Sequence, residues 1–125
     1  MLEQESYNLV LTPELSLYFQ VQEALSQDDL KSLNVLFKNL KFENTFTESF
    51  VDSIEIADKR LVFYEWTKDL LSRLEREDLS YSIYVYSCPM AFENTSATWL
   101  SLNKVIRNPY FGESMLNCGI LKSKI

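Results

Sequence analysis

Four sulfur-bearing residues fall in two short stretches. Ser87-Cys88-Pro89-Met90-Ala91-Phe92 places a cysteine two positions before a methionine, and Met115-Leu116-Asn117-Cys118-Gly119 places a methionine three positions before a cysteine. These are the only two cysteines of the chain. Thiolates and thioethers are soft donors, and together they select Cu(I) or Ag(I) over hard ions such as Mg²⁺ or Ca²⁺. An extended segment through Pro89 would point Cys88 and Met90 the same way. A helical turn over 113–118 would put Met115 and Cys118 on one face. If the flanking segments pair as strands, the two halves meet in a site of up to four sulfurs, with Trp99 between them to shield a cation by an aromatic contact. Two other readings use the same residues. Cys88 and Cys118 would also suit a disulfide across the strand pair, or two inert buried thiols. Met90 and Met115 then become core filler, and Trp99 a core anchor.

The rest of the chain narrows the chemistry. There is no histidine, which removes Ser–His–Asp and Cys–His nucleophile systems and histidine-ligated zinc and iron sites. No glycine-rich phosphate loop is present. Glu75, Glu77 and Asp78 close a charged helical stretch and read as a solvated face. A thiol oxidoreductase would need an activated thiolate, and neither a Cys-x-x-Cys nor a nearby basic residue supplies one. The chain is therefore read as non-enzymatic. Its net charge of −6 and lack of a basic stripe argue against nucleic acid. No apolar run approaches the length that spans a bilayer. The start, Met1-Leu2-Glu3-Gln4, reads as a polar tail without the parts of a signal peptide. Either the protein is cytosolic, or an export signal has been removed.

The elements that must position these residues follow from periodicity. A chain of 125 residues, 46% of them hydrophobic, is one domain with a real core, and only two glycines favour helices over a turn-rich β fold. Thr12-Pro13-Glu14 is a helix start, and Leu15, Tyr18, Phe19 and Leu25 give its apolar face to about residue 26. Asp28-Asp29 caps a second helix carrying Leu30, Leu33, Phe37 and Leu40. Asn44, Thr45 and Thr47 cap a third run, Glu48 to about Arg76, as one long helix or two with a kink near Ala57-Asp58. Its expected stripe is Phe50, Ile54, Ala57, Leu61, Tyr64, Leu71 and Leu74, widened by Phe63, Trp66 and Leu70. Tyr81 to Tyr86 alternates as a strand. Ala97 to Leu102 fits a short helix or a strand. Asn108-Pro109-Tyr110-Phe111-Gly112 is a turn, Glu113 to Cys118 is a helical turn ended by a left-handed Gly119, and Ile120 to Lys122 returns as a second strand. The expected fold is mainly α: a three- or four-helix bundle over 12–77, with a small C-terminal two-stranded β element and an ordered motif loop over 80–122.

The C-terminal third also carries a resemblance. Cys88-Pro89-Met90-Ala91, Ala97-Thr98-Trp99-Leu100-Ser101, Ile106 to Gly112 and Met115-Leu116-Asn117-Cys118-Gly119 together resemble the domain-of-unknown-function 3347 family over roughly residues 80–122. The helical part resembles it only in pattern and length. That family's domains occur as exported bacterial proteins and fused to periplasmic adaptor subunits of heavy-metal efflux systems. The resemblance implies a periplasmic or otherwise extracytoplasmic protein, its signal sequence removed, that handles copper or silver with efflux components as partners. It adds weight to Cys88, Met90, Met115 and Cys118 as ligands, with Trp99 beside them. The chain departs from the family at Phe92 to Ser96, where relatives often carry a glycine, and in lacking histidine. The alternative function is a structural or protein-interaction module, stapled by a Cys88–Cys118 disulfide and presenting Tyr84, Tyr86 and Tyr110 as a contact surface.

Overall fold

The computed structural model describes residues 12–38, 44–76 and 81–125. Leu40, Glu77, Asp78 and the stretch Met1 to Gln4 lie outside these. Thr12 starts helix α1 (Pro13–Ser26) by accepting the Leu15 amide at 3.1 Å, with Pro13 in the first turn. A corner at Asp28, in the left-handed region at φ +57°, turns the chain into α2 (Leu30–Leu36), which Asp29 caps. Asn44 and Thr47 form a reciprocal capping box at the start of α3 (Thr45–Asp52). The last long helix is α4 (Ile56–Leu74).

The break between α3 and α4 falls at residues 53–55, ahead of the expected kink at Ala57-Asp58. Its cause is tertiary. The buried Lys59 ammonium donates to the carbonyls of Phe50 (2.6 Å) and Ser53 (2.7 Å), satisfying acceptors that the end of α3 leaves open. Desolvation lowers the Lys59 pKa. The expected stripe is also corrected. Ile54 is 82% exposed and Leu61 48% exposed, while Phe63, Trp66, Thr67, Leu70 and Leu74 are buried. The latter set recurs every three or four positions, so the residues assigned to widen the stripe are its centre.

After α4 the chain enters a sheet. Strand β1 (Tyr84–Cys88) leads through one helical turn (Ala91–Asn94) to β2 (Ala97–Ser101). A long loop with a 3₁₀ turn (Gly112–Met115) then returns as β3 (Ile120–Lys124). The strand order is β2-β1-β3, antiparallel throughout. The expected bundle with a two-stranded element is therefore wrong. Among the described residues, four helices pack with a three-stranded antiparallel sheet, a mixed α/β arrangement. Ala97 to Leu102 supplies the missing strand because its register sets Trp99 opposite Tyr86 and Ala97 opposite Cys88, burying all four side chains. Among the described residues no helix is long and apolar enough to cross a membrane.

Helices α1 and α4 pack against β2, and two tyrosines seal its outer edge. The Leu100 amide donates to the Tyr18 hydroxyl at 3.0 Å, and the Tyr110 hydroxyl donates to the Thr98 carbonyl. Thr67 spends its own proton on the Phe63 carbonyl (2.9 Å), so Tyr18 is the donor in its 2.7 Å bond to Thr67. Burial pushes both tyrosine pKa values up, which keeps the hydroxyl protons these bonds require. Around them Tyr18 stacks on Phe63 at 4.6 Å and meets Trp66 edge-on at 5.2 Å. The indole N–H of Trp66 donates to Glu14 at 2.9 Å, and the same buried carboxylate accepts both Arg73 Nη atoms at 2.8 and 2.6 Å.

Candidate functional site: a thiol pair at the end of the sheet

Cys88 is the last residue of β1, and Cys118 lies two residues before β3. The β1–β3 register pairs Ser87 with Ile120, so one step further brings Cys88 to the Gly119 level and Cys118 beside it. The two thiols are thus neighbours and remain unbridged. Their surroundings differ. Cys88 is fully buried, whereas Cys118 is part-exposed. Burial pushes the Cys118 thiol pKa up, and the neighbouring Cys88 raises it further through its charge and hydrogen bond. The β1–β3 pairing thus places the two cysteines at the same end of the sheet.

The methionines are placed differently. Extension stops at Pro89, and Met90 sits in a turn at φ −101°, ψ −2°, 51% exposed. Its side chain thus does not share the buried environment of Cys88, and the expected common direction of the pair is lost. Met115 ends the 3₁₀ turn, part-exposed, and its carbonyl accepts the Cys118 amide at 3.1 Å. The helical turn is thus shorter than expected, though it does tie Met115 to Cys118. Among the described residues there is no group of three or more His, Cys, Asp or Glu that could hold a metal ion.

Asn108 fixes the loop that carries Cys118. It is fully buried, and its amide donates to the Cys118 carbonyl at 2.7 Å. Its side-chain oxygen accepts the amides of Tyr110 (2.7 Å) and Phe111 (3.1 Å), and its own amide donates to the Leu116 carbonyl at 2.7 Å. An asparagine opening a turn before proline was legible in the sequence; its tie to the second cysteine was not. Gly119 serves proximity. A Cβ there would lie 2.7 Å from the Trp99 ring and 3.3 Å from Ile106. Gly112, not Gly119, takes the left-handed conformation, at φ +62°.

Trp99 lies against this loop, stacked on Tyr86 at 5.4 Å and edge-on to Tyr110 at 6.2 Å. It is fully buried, and its indole N–H has no hydrogen-bond partner among the described residues. Tyr110 also meets Phe63 and Phe92, at 5.9 and 5.4 Å, and joins the loop to the helical layer. The proposed contact surface of Tyr84, Tyr86 and Tyr110 is thereby corrected, since Tyr86 and Tyr110 are buried. In the segment where a glycine was missed, Phe92 and Ser96 adopt φ +50° and +65°, conformations that glycine takes without steric cost.

The helices clamp the loop from outside. Arg60 donates to the carbonyls of Pro109 (2.7 Å) and Leu25 (2.9 Å) and pairs with Asp28 at 2.6 Å. Asp28 in turn accepts the Glu113 amide at 2.9 Å, and Gln22 donates to the Arg107 carbonyl at 2.7 Å. The Arg60 bond, first among the causes, and the Glu113 amide hold the Asp28 carboxyl below the usual carboxylate range. Sequence reasoning missed this clamp. No periodicity marks Arg60 or Asp28 as loop contacts.

No protein family, curated protein or solved structure matches this chain.

Proposed function

We propose that this chain is a non-enzymatic extracytoplasmic domain that binds one soft monovalent metal ion, Cu(I) or Ag(I), in the handling or efflux of heavy metals. The observation that carries the reading is the placement of Cys88 and Cys118, distant in sequence, as two unbridged thiols at one end of the paired strands β1 and β3. Two thiolates suit a soft monovalent ion that needs few ligands, and the absence of a third Cys, His or carboxylate among the described residues disfavours zinc and hard ions there. Cys88 and Cys118 would hold the ion. Met115, whose carbonyl accepts the Cys118 amide, is the stronger thioether candidate, and Met90 on its exposed turn is the weaker one. Trp99 backs the loop as an aromatic wall. The extracytoplasmic setting and the efflux partners rest on the motif resemblance alone.

The test is an anaerobic titration of the fully reduced protein with Cu(I) against a chromophoric competitor. One equivalent should bind tightly, Cys88→Ser and Cys118→Ser should each abolish that binding, and Met90→Leu should change it little. Competition that is equal for wild type and both cysteine variants would sink the assignment.

A further inference from the structure

A thiol pair is also a two-electron centre, and the geometry here gives its two sulfurs unequal access. We infer that Cys88 and Cys118 form a thiol/disulfide couple that is entered from solvent through Cys118, with Cys88 as the buried thiol that completes the exchange. This inference does not depend on metal binding. It uses three observations. The β1–β3 register brings Cys88 and Cys118 to the same end of the sheet as neighbours. Cys88 is fully buried, so a bulky disulfide cannot reach it, while Cys118 is part-exposed. Both backbones are pinned, Cys88 by its pairing with Ala97 and Cys118 by Asn108 and the Met115 carbonyl. Closing the pair asks that two free neighbouring sulfurs draw together into a bond of about 2.05 Å.

The exchange balances with a small-molecule disulfide as oxidant. Cys118 loses its proton, and its sulfur attacks one sulfur of the donor, whose S–S bond breaks. The expelled thiolate takes up a proton. Cys88 then loses its proton and attacks the Cys118 sulfur of the mixed disulfide. The second donor thiolate leaves and is protonated. The pair gives up two electrons and two protons, and one donor disulfide becomes two thiols. Without Cys88, the sequence stops at the mixed disulfide. Without Cys118, it does not start.

The experiment uses the full chain, stripped of metal with a chelator and incubated with oxidised glutathione. Samples are acid-quenched and alkylated, and intact masses are read over time. Wild type should lose two hydrogens and carry no glutathione at completion. Cys88→Ser should accumulate one glutathione on Cys118. Cys118→Ser should stay unmodified when folded and react only in denaturant. Cys88→Ala serves beside Cys88→Ser in case a buried hydroxyl disturbs the fold, and far-UV circular dichroism checks all three variants. A stable glutathione adduct on wild type would overturn the couple. Reaction of Cys88 in folded Cys118→Ser as fast as Cys118 in folded Cys88→Ser would overturn the order of entry. Failure of the Cu(I) titration leaves these masses unchanged, so the two proposals fail separately.

Discussion

Asn108→Ala should be among the most damaging single changes in the C-terminal loop. The side chain makes three hydrogen bonds, to the Cys118 carbonyl and the amides of Tyr110 and Phe111. A net intramolecular hydrogen bond contributes about 1 kcal/mol, and each buried partner left orphaned costs about 1–3 kcal/mol. The Tyr110 amide is fully enclosed and carries the larger penalty; water can partly rescue the other two groups. The sum is about 3–5 kcal/mol, a large share of the roughly 5–15 kcal/mol by which domains are stable. At about 4 °C per kcal/mol for a chain of this size, the melting temperature should fall by roughly 12–20 °C. Asn108→Asp keeps the acceptor for Tyr110 and Phe111 but sets an oxygen against the Cys118 carbonyl in a fully buried position, where an uncompensated carboxylate is costly. Its stability loss at neutral pH should be at least as large as that of the alanine variant and should shrink as acid protonates the carboxyl, while closure of the Cys88–Cys118 disulfide slows in both. Urea denaturation followed by tryptophan fluorescence, with timed thiol alkylation, reads both effects. A stability loss below about 1 kcal/mol for Asn108→Ala, less than one ordinary hydrogen bond, would refute this account of the loop.

Two further outcomes follow from the packing around it. Gly112→Ala would place a Cβ 2.1 Å from the Asp28 carboxylate in a left-handed backbone, so it should destabilise by more than the roughly 1–2 kcal/mol of the backbone strain alone; adding Asp28→Ala should recover the excess in a denaturation cycle, and strict additivity would show that the contact is not the cause. At Glu14 burial pushes the carboxyl pKa up, but the bonds from Arg73 and Trp66 outweigh it and leave the group below its ordinary 4.5. A carboxyl depressed in the folded state stabilises fully above its unfolded pKa and loses that contribution as pH falls through the folded value. Wild type should therefore lose urea resistance more steeply than Glu14→Gln below pH 4.5, and parallel pH profiles would remove Glu14 from the acid response.

The sequence made the local signals legible and left the tertiary ones dark. Thr12, Asp29 and Asn44 cap their helices by bonds within three residues, and such bonds can be read from residue type alone. Tyr81 to Tyr86 announced a strand, displaced by a few positions from Tyr84–Cys88. The errors lie where two patterns fit one stretch. Ala-Thr-Trp-Leu-Ser suits helix or strand, and only pairing with Tyr86 decides it. The run from Phe50 to Leu74 holds apolar residues on most of its circumference, so periodicity could not tell the exposed Leu61 from the buried Phe63. At the site, the return of the last strand beside β1 was legible, and it places the two cysteines at one end of the sheet. Met90 was misplaced because a proline following the strand turns the chain instead of extending it.

The position of the thiol pair gives the helical layer a role that its own residues do not advertise. None of the four helices contributes a sulfur to the pair. Yet the loop that presents Cys118 is held from their side, by Gln22 on Arg107, by Arg60 on Pro109 and by Asp28 on Glu113. Tyr18 and Tyr110 close the outer edge of β2, which fixes the strand that in turn registers Cys88. The two cysteines are thus held by independent supports, one through the sheet and one through the helical clamp. Keeping the thiols side by side requires both supports at once. That requirement ties the spacing of the two sulfurs to the integrity of both the sheet and its helical clamp.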